Sequence, residues 1–252
     1  KMKELLIVIA LVPWMARAQE FKIAKNSGRL EVHLGRVSFE GYNGSEIVIS
    51  SENDNGRKDE RAEGLRAING LGLADNTGLG INVEEKPGAV IVRQLKKIKA
   101  PEIKIMVPKG VIVSFQHDSQ YAGTVEFKNM ENEIEVAAQY NSVELENVTG
   151  PMTVKSIYGH VEADFRSAIK SPISIVSVYG YVDVALPETT RANLKMDTRY
   201  GEIFVSPDLK FEVNAEAGMV KYSDRVQGKL NGGGDLNIDL SSNYGKIYLR
   251  KK

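Results

Sequence analysis

The chain has 252 residues, with 33 lysines and arginines against 33 aspartates and glutamates and no cysteine. Balanced charge removes the electrostatic reason to expect nucleic acid as a partner. The missing cysteines exclude a disulfide framework, a cysteine-ligated metal and a lipid-modified cysteine, so the fold must rest on burial and backbone pairing alone.

In chain order, residues 1 to 18 read first, as a cleaved secretory signal peptide. Met2-Lys3 gives a basic start, Leu5 to Val12 an apolar run, and Ala16-Arg17-Ala18 an Ala-x-Ala site before Gln19. That run falls short of the about 20 apolar residues that span a bilayer, and no later run reaches this length. An uncleaved N-terminal anchor is the alternative reading. The chain is therefore expected to be exported, to the periplasm, the outer cell surface or the medium, with no transmembrane segment in its mature form.

Residues 19–252 are expected to form one domain, a length common for all-β units. Phe21, Ile23, Ser27-Gly28, Leu30, Val32 and Leu34 alternate as a first strand–turn–strand unit. Residues 41–99 look irregular and loop-rich by contrast. Gly41 to Ala62 abounds in Asn, Asp, Glu and Gly, Gly72, Gly78 and Gly80 interrupt the apolar residues before Val83, and Ala89 to Val92 is the strand expected there.

Further on, one phrase recurs: Tyr140-Asn141, Tyr158-Gly159, Tyr179-Gly180, Tyr200-Gly201 and Tyr244-Gly245. Ser156, Ser177, Thr198 and Ser242 stand two residues before their tyrosines, and Val143, Val161, Val182, Ile203 and Ile247 three residues after. Such repetition marks stacked, similar units. Their arms alternate like half-buried strands, with Ala192, Leu194 and Met196 inward and Asn193, Lys195 and Asp197 outward. With a degraded copy at Ala217-Gly218, the tyrosine positions are spaced by 18, 21, 21, 17 and 27 residues, a mean of about 21. Glycine predicts a corner that needs positive φ or close chain approach, and Asn141 is the other residue that tolerates the left-handed region. Pro151, Pro172, Pro187 and Pro207 punctuate the connections.

Two architectures satisfy this pattern. Each unit is one coil of a parallel β-helix, or each is a hairpin with a Gly-x loop in an antiparallel array. The helix is favoured, because His160, Tyr181, Glu202 and Lys246 are unusual second residues for hairpin loops and the spacing fits one coil. Roughly eleven coils stacked about 4.8 Å apart would give a rod on the order of 50 Å.

A strand ending in Val107-Pro108-x-Gly110, the Ser/Thr-x-x-Gly-x-Ile/Val strands, Val184 to Pro187, and the closing Asn231-Gly-Gly-Gly234 with Gly245 to Leu249 carry a resemblance. Over roughly residues 20 to 252 the chain resembles the exported bacterial putative-adhesin families of unknown function, of Bacteroidetes type. The resemblance implies a right-handed single-stranded parallel β-helix, and it brings no catalytic residues with it.

The chemistry-bearing residues are sparse. His33, His117 and His160 are too scattered to propose a metal centre, so neither metal nor cofactor is expected. His117-Asp118-Ser119 holds the residue types of a triad, but neighbours in a strand point to opposite faces. Gly232-Gly233-Gly234-Asp235 departs from a calcium-binding repeat and reads as a turn. Glu162 and Asp183 occupy equivalent outward positions on consecutive units and are the acid pair for a polysaccharide-degrading lyase or hydrolase. The blander reading is a solvated acidic face. Tyr140, Tyr158, Tyr179, Tyr200 and Tyr244 share parity with the inward apolar face, so they are expected as packed rings at structural corners. Tyr181, Phe204 and Tyr248 point outward and are the candidate ligand-binding residues. The leading functional expectation is a non-enzymatic exported binding protein of the cell envelope that contacts a glycan or an envelope protein through this flank. The alternatives are the enzyme above and a purely structural envelope protein.

Overall fold

Alternating apolar residues build 21 strands in two sheets, with no helix among the described residues. The structure, a computed structural model, describes residues 19–51, 61, 64–65, 68–213 and 225–252. The signal segment 1–18 and Ala217-Gly218 lie outside the described residues. The N-terminal strands are β1 (Glu20–Ile23), β2 (Gly28–His33), β3 (Val37–Tyr42), β4 (Ile47–Ser51), β5 (Ile81–Lys86), β6 (Ala89–Gln94) and β7 (Ile103–Pro108). The middle holds β8 (Val111–His117), β9 (Val125–Lys128), β10 (Ile134–Ala138), β11 (Val143–Glu146), β12 (Met152–Ser156), β13 (Val161–Asp164), β14 (Ile173–Ser177) and β15 (Val182–Leu186). Then come β16 (Ala192–Asp197), β17 (Ile203–Val205), β18 (Phe211–Val213), β19 (Arg225–Leu230), β20 (Asn237–Ser242) and β21 (Ile247–Lys251).

From β8 to β15 the chain alternates between the sheets, and each strand pairs in parallel with the strand two later. The chain therefore winds as a β-helix-like stack of flattened coils, each made of one strand from each sheet and the corners between. Val143 pairs with Val161 and Val161 with Val182, so equivalent residues stack directly. This parallel register excludes the hairpin array for the Tyr-Gly units.

The order of coils departs from chain order near both ends of the stack. β2 and β3 lie between β6/β7 and β8/β9, while β20 and β21 lie between β14/β15 and β16/β17. Eight coils result among the described residues, not the eleven expected. Antiparallel strands complete the sheets, with β4 and β1 beyond β7, β5 beyond β6, and β19 and β18 beyond β16. The segment expected to be irregular thus contributes β6, the strand expected there, together with β5, which forms a hairpin with it, and β4, which pairs antiparallel with β1 and β7. Phe211–Val213 likewise belongs to a hairpin rather than to a further coil, and the corner of the first unit carries Gly35, not Gly28.

Inward residues of the two sheets meet in one core that runs the length of the stack, including Phe115, Ile134, Val154, Ile175 and Leu240 from one sheet and Phe127, Val143, Val161, Val182 and Ile247 from the other. Each fully buried aliphatic or aromatic side chain contributes about 1.5–3 kcal/mol. That burial takes the place of the missing disulfides. Phe39 and Phe127, on paired strands, stack at 4.8 Å. The four prolines fall outside the strands, as their missing donors require.

Candidate functional site

The recurring corners are built on a buried hydroxyl. Ser156, Ser177 and Ser242 end their strands fully buried, and the Oγ atoms of Ser156 and Ser242 accept the N–H of Gly159 and Gly245 at 3.1 and 3.0 Å. The hydroxyls also donate to the backbone of the neighbouring coil: Ser156 to Asn141 O at 2.8 Å, Ser177 to Gly159 O at 2.9 Å and Ser242 to Gly180 O at 2.8 Å. Thr198 repeats this on the end coil, accepting from Gly201 at 3.0 Å and donating to Gly245 O at 3.3 Å. One hydroxyl therefore closes its own turn and ties it to the next, a role that a small β-compatible Ser or Thr can fill.

Glycine follows because the corners stack backbone on backbone. A Cβ on Gly159, Gly180, Gly201 or Gly245 would lie between 1.8 and 2.4 Å from a backbone oxygen of the adjacent coil. None of the four has positive φ, and neither has Asn141, so close approach alone explains them. Asn141 is tolerated because it faces the longer corner between β8 and β9, where its amide donates to Gly35 O and Gly123 O and its Oδ1 meets His117 Nδ1 at 2.8 Å.

The tyrosines do not point inward. Strand parity ends at the serine, and the two residues that follow lie in the bend, so Tyr140, Tyr158, Tyr179, Tyr244 and Tyr200 project from the corner and are 39, 51, 51, 51 and 72% exposed. They do form a ladder. Successive ring centroids are 5.0, 5.1, 4.9 and 5.0 Å apart with interplanar angles of 6 to 16°. The ladder runs in spatial order, with Tyr244 between Tyr179 and Tyr200, because the β20/β21 coil is inserted there.

The outward flank beside the ladder brings the three predicted contact residues together. Tyr248 lies between the other two, edge-on to Tyr181 at 6.2 Å and stacked on Phe204 at 5.5 Å. His160 stacks on Tyr181 at 4.6 Å. Lys246 Nζ sits 5.4 Å from the Phe204 centroid, and the Arg250 guanidinium 5.3 Å from that of Tyr248. Phe204 is 44% exposed, while Tyr181 and Tyr248 are half-buried. The Tyr181 hydroxyl donates to Glu162 at 2.5 Å, and burial, reinforced by that carboxylate, pushes the phenol up to about 12.

Down the same face runs a column of acids. Glu126, Glu144, Glu162 and Asp183 are in register on consecutive coils, so the predicted pair is adjacent and two further carboxylates extend it. Glu144 was detectable in the sequence, since Glu144, Glu162 and Asp183 each stand four residues after a corner tyrosine, whereas Glu126 follows no such tyrosine. Lys128 neutralises Glu126 at 2.5 Å, and Arg250 grips both Asp183 oxygens at 2.7 and 2.8 Å. Partial burial, and then Glu126 and Glu162, hold the Glu144 carboxyl above its ordinary value. Glu144, Glu162 and Asp183 line a shallow groove of about 430 Å³ together with Glu146, Asp164, Lys128 and Arg166. A second groove, of about 580 Å³, crosses the outer face of the other sheet over Ala137, Thr153 and Ser174.

Other sequence candidates separate. His117 is buried against Asn141 rather than Asp118, His160 belongs to the flank, and His33 lies on the opposite sheet with its pKa lowered by burial and Arg93. Among the described residues no group of three His, Cys, Asp or Glu is placed to hold a metal ion. Nor is any helix there long and apolar enough to cross a membrane.

Comparison with known proteins bears on the fold of the repeat region. A putative cell adhesion protein from Clostridium sporogenes aligns over 94% of this chain and 100% of its own, at 12% identity and a TM-score of 0.46. A putative adhesin from Bacteroides fragilis aligns over 94% and 98%, at 12% identity and a TM-score of 0.43. No curated protein matches. The Toastrack DUF4097 profile matches residues 122–250, a stretch that holds every Tyr-Gly corner, the acid column and the aromatic flank. With more than half its length so matched, the chain belongs to the Toastrack DUF4097 family.

Proposed function

We propose that this chain is a non-enzymatic binding protein of the cell envelope, contacting a glycan or an envelope protein through the flank of Tyr181, Tyr248 and Phe204. The observation that carries this is the contiguity of the three rings on adjacent coils, ringed by Lys246, Arg250 and Glu162. Aromatic rings bordered by charge are the composition of contact hot spots. Export through residues 1–18, with cleavage between Ala18 and Gln19, belongs to the same reading. So does a right-handed single-stranded winding with a repeat of about 21 residues, the sense that crossovers between parallel strands adopt.

Binding is preferred to catalysis because the proposed acid pair is already engaged, Asp183 by Arg250 and Glu162 by Tyr181. Glu144, whose carboxyl is held above its ordinary value, is the feature that favours the enzyme. The test is a screen of the mature protein against glycans and envelope fractions, beside polysaccharide-degradation assays. Tyr181→Ser with Phe204→Ser should weaken binding by about 1–3 kcal/mol with the melt nearly unaltered. Unchanged affinity removes the flank from consideration, and depolymerisation that disappears in Glu162→Gln or Glu144→Gln replaces binding with catalysis.

A further inference from the structure

We propose that the tyrosine ladder is a second contact surface, one that takes a neutral, extended β-1,4-linked polysaccharide lying along the stack. The inference rests on the reading of the chain as a binding protein, but on a different surface from the flank. The five rings present one phenolic hydroxyl per coil, at intervals set by ring spacings of 4.9 to 5.1 Å. None of these hydroxyls has a hydrogen-bond partner among the described residues. Stacked neighbours cover the faces of the inner rings, so what the ladder offers is a straight row of hydroxyls and ring edges rather than a set of open platforms. At the end of the row Tyr200, 72% exposed, has a stacked neighbour on only one face among the described residues.

Such a row suits a partner whose own hydrogen-bonding groups repeat at the strand spacing. An extended β-1,4-linked pyranose chain advances by close to that distance per sugar with alternate sugars turned over, so each ring hydroxyl faces one sugar and the same sugar groups recur at every second ring. Coiled α-linked chains lose the match after one or two contacts. The ladder holds its spacing without the ligand, because buried Ser and Thr hydroxyls and glycine contacts fix four of its corners and the Asn141 amide fixes the fifth, at Tyr140. Binding therefore does not bear the cost of ordering the surface.

Charge selects the kind of chain. The rings themselves are uncharged, and half-buried Ile157 and Val178 flank Tyr158 and Tyr179 on one side, where the C–H faces of sugars can lie, with Arg199 as the one charge in that file, beside Tyr200. Beyond the corner on the other side stand Glu144 and Glu162, the two members of the acid column that no lysine or arginine pairs with among the described residues, and they oppose uronate or sulfated polymers. A neutral polymer meets no such opposition.

The test is calorimetric titration of the mature protein with cello-, xylo- and chito-oligosaccharides of increasing length, against malto-oligosaccharides and polygalacturonate. Affinity for at least one β-1,4-linked series should rise with length up to about five sugars, matching the five rings. The triple variant Tyr158→Phe, Tyr179→Phe and Tyr244→Phe keeps the rings and deletes three hydroxyls. It should lose at least about tenfold in affinity with no fall in melting temperature. Absence of binding to all three neutral series, or equal binding by the triple variant, overturns the proposal. If the Tyr181→Ser, Phe204→Ser variant loses oligosaccharide binding while the triple variant keeps it, the ladder inference fails and the flank stands. Sedimentation showing a dimer that the triple variant abolishes, with no oligosaccharide bound, assigns the ladder to self-association and overturns the proposal equally.

Discussion

Gly180→Ala puts the backbone-on-backbone corner to the test. The new Cβ would lie 2.4 Å from Gly159 O, 2.7 Å from Gly159 C and 2.8 Å from His160 N, all backbone atoms that cannot swing aside. Reaching an ordinary contact of 3.4 Å requires the two coils to part by about 1 Å at this corner. That movement stretches the Ser177 Oγ–Gly159 O and Tyr179 N–Ile157 O hydrogen bonds, both 2.9 Å, beyond useful range. Two bonds at about 1 kcal/mol each, with the overpacking strain, give a loss of about 2–4 kcal/mol. The control is Gly232→Ala, where φ is +79° and nothing lies within 4 Å, so only the left-handed penalty of about 1–2 kcal/mol applies. Urea melts analysed by linear extrapolation compare the two. A loss at Gly180 no larger than that at Gly232 would refute the close-approach argument.

Ser242→Ala orphans Gly180 O and the Gly245 N–H together and should cost about 1–3 kcal/mol in the same melts. Tyr179→Ala, which removes stacking partners on both faces of a half-exposed ring, should cost about 1–3 kcal/mol, less than the about 3–5 kcal/mol typical of a buried aromatic. Glu144→Gln should stabilise at pH 7 by about 0.2–1 kcal/mol, by removing one like charge from the column. Because the folded carboxyl holds its proton more readily than the unfolded one, stability falls as pH rises from the ordinary value of 4.5 through the raised one. The advantage of Glu144→Gln should therefore vanish in acid below 4.5, as thermal melts across pH will report.

Strand phase was legible because period-two alternation is a local property, and Leu194, Val161 and Ile247 all face the core as their parity required. Corner chemistry was half legible. The Ser-x-Tyr-Gly spacing marked the turns, yet parity carried past the strand end put the tyrosines inside, whereas the serine is the last residue the alternation governs. Coil order was not legible at all, since every coil presents the same aliphatic pattern to its neighbours and nothing local says that Val182 pairs with Ile247 rather than Ile203. The flank was found from parity alone, but its continuity depends on that hidden order, which sets Tyr248 between Tyr181 and Phe204.

The interleaved coils make this stack behave unlike a ladder that can be shortened rung by rung. In a plain solenoid each unit touches only its chain neighbours, and cutting back from one end removes rungs in turn. Here β2 and β3 act as a seed with later coils laid on both sides, and β20 and β21 act as a keystone, entering a slot whose walls, β14/β15 and β16/β17, precede them in the chain. Deleting the keystone would not leave a rod one coil shorter. It would leave a gap inside both sheets, split the tyrosine row between Tyr179 and Tyr200, and strand the β16/β17 coil with its hairpin on the far side.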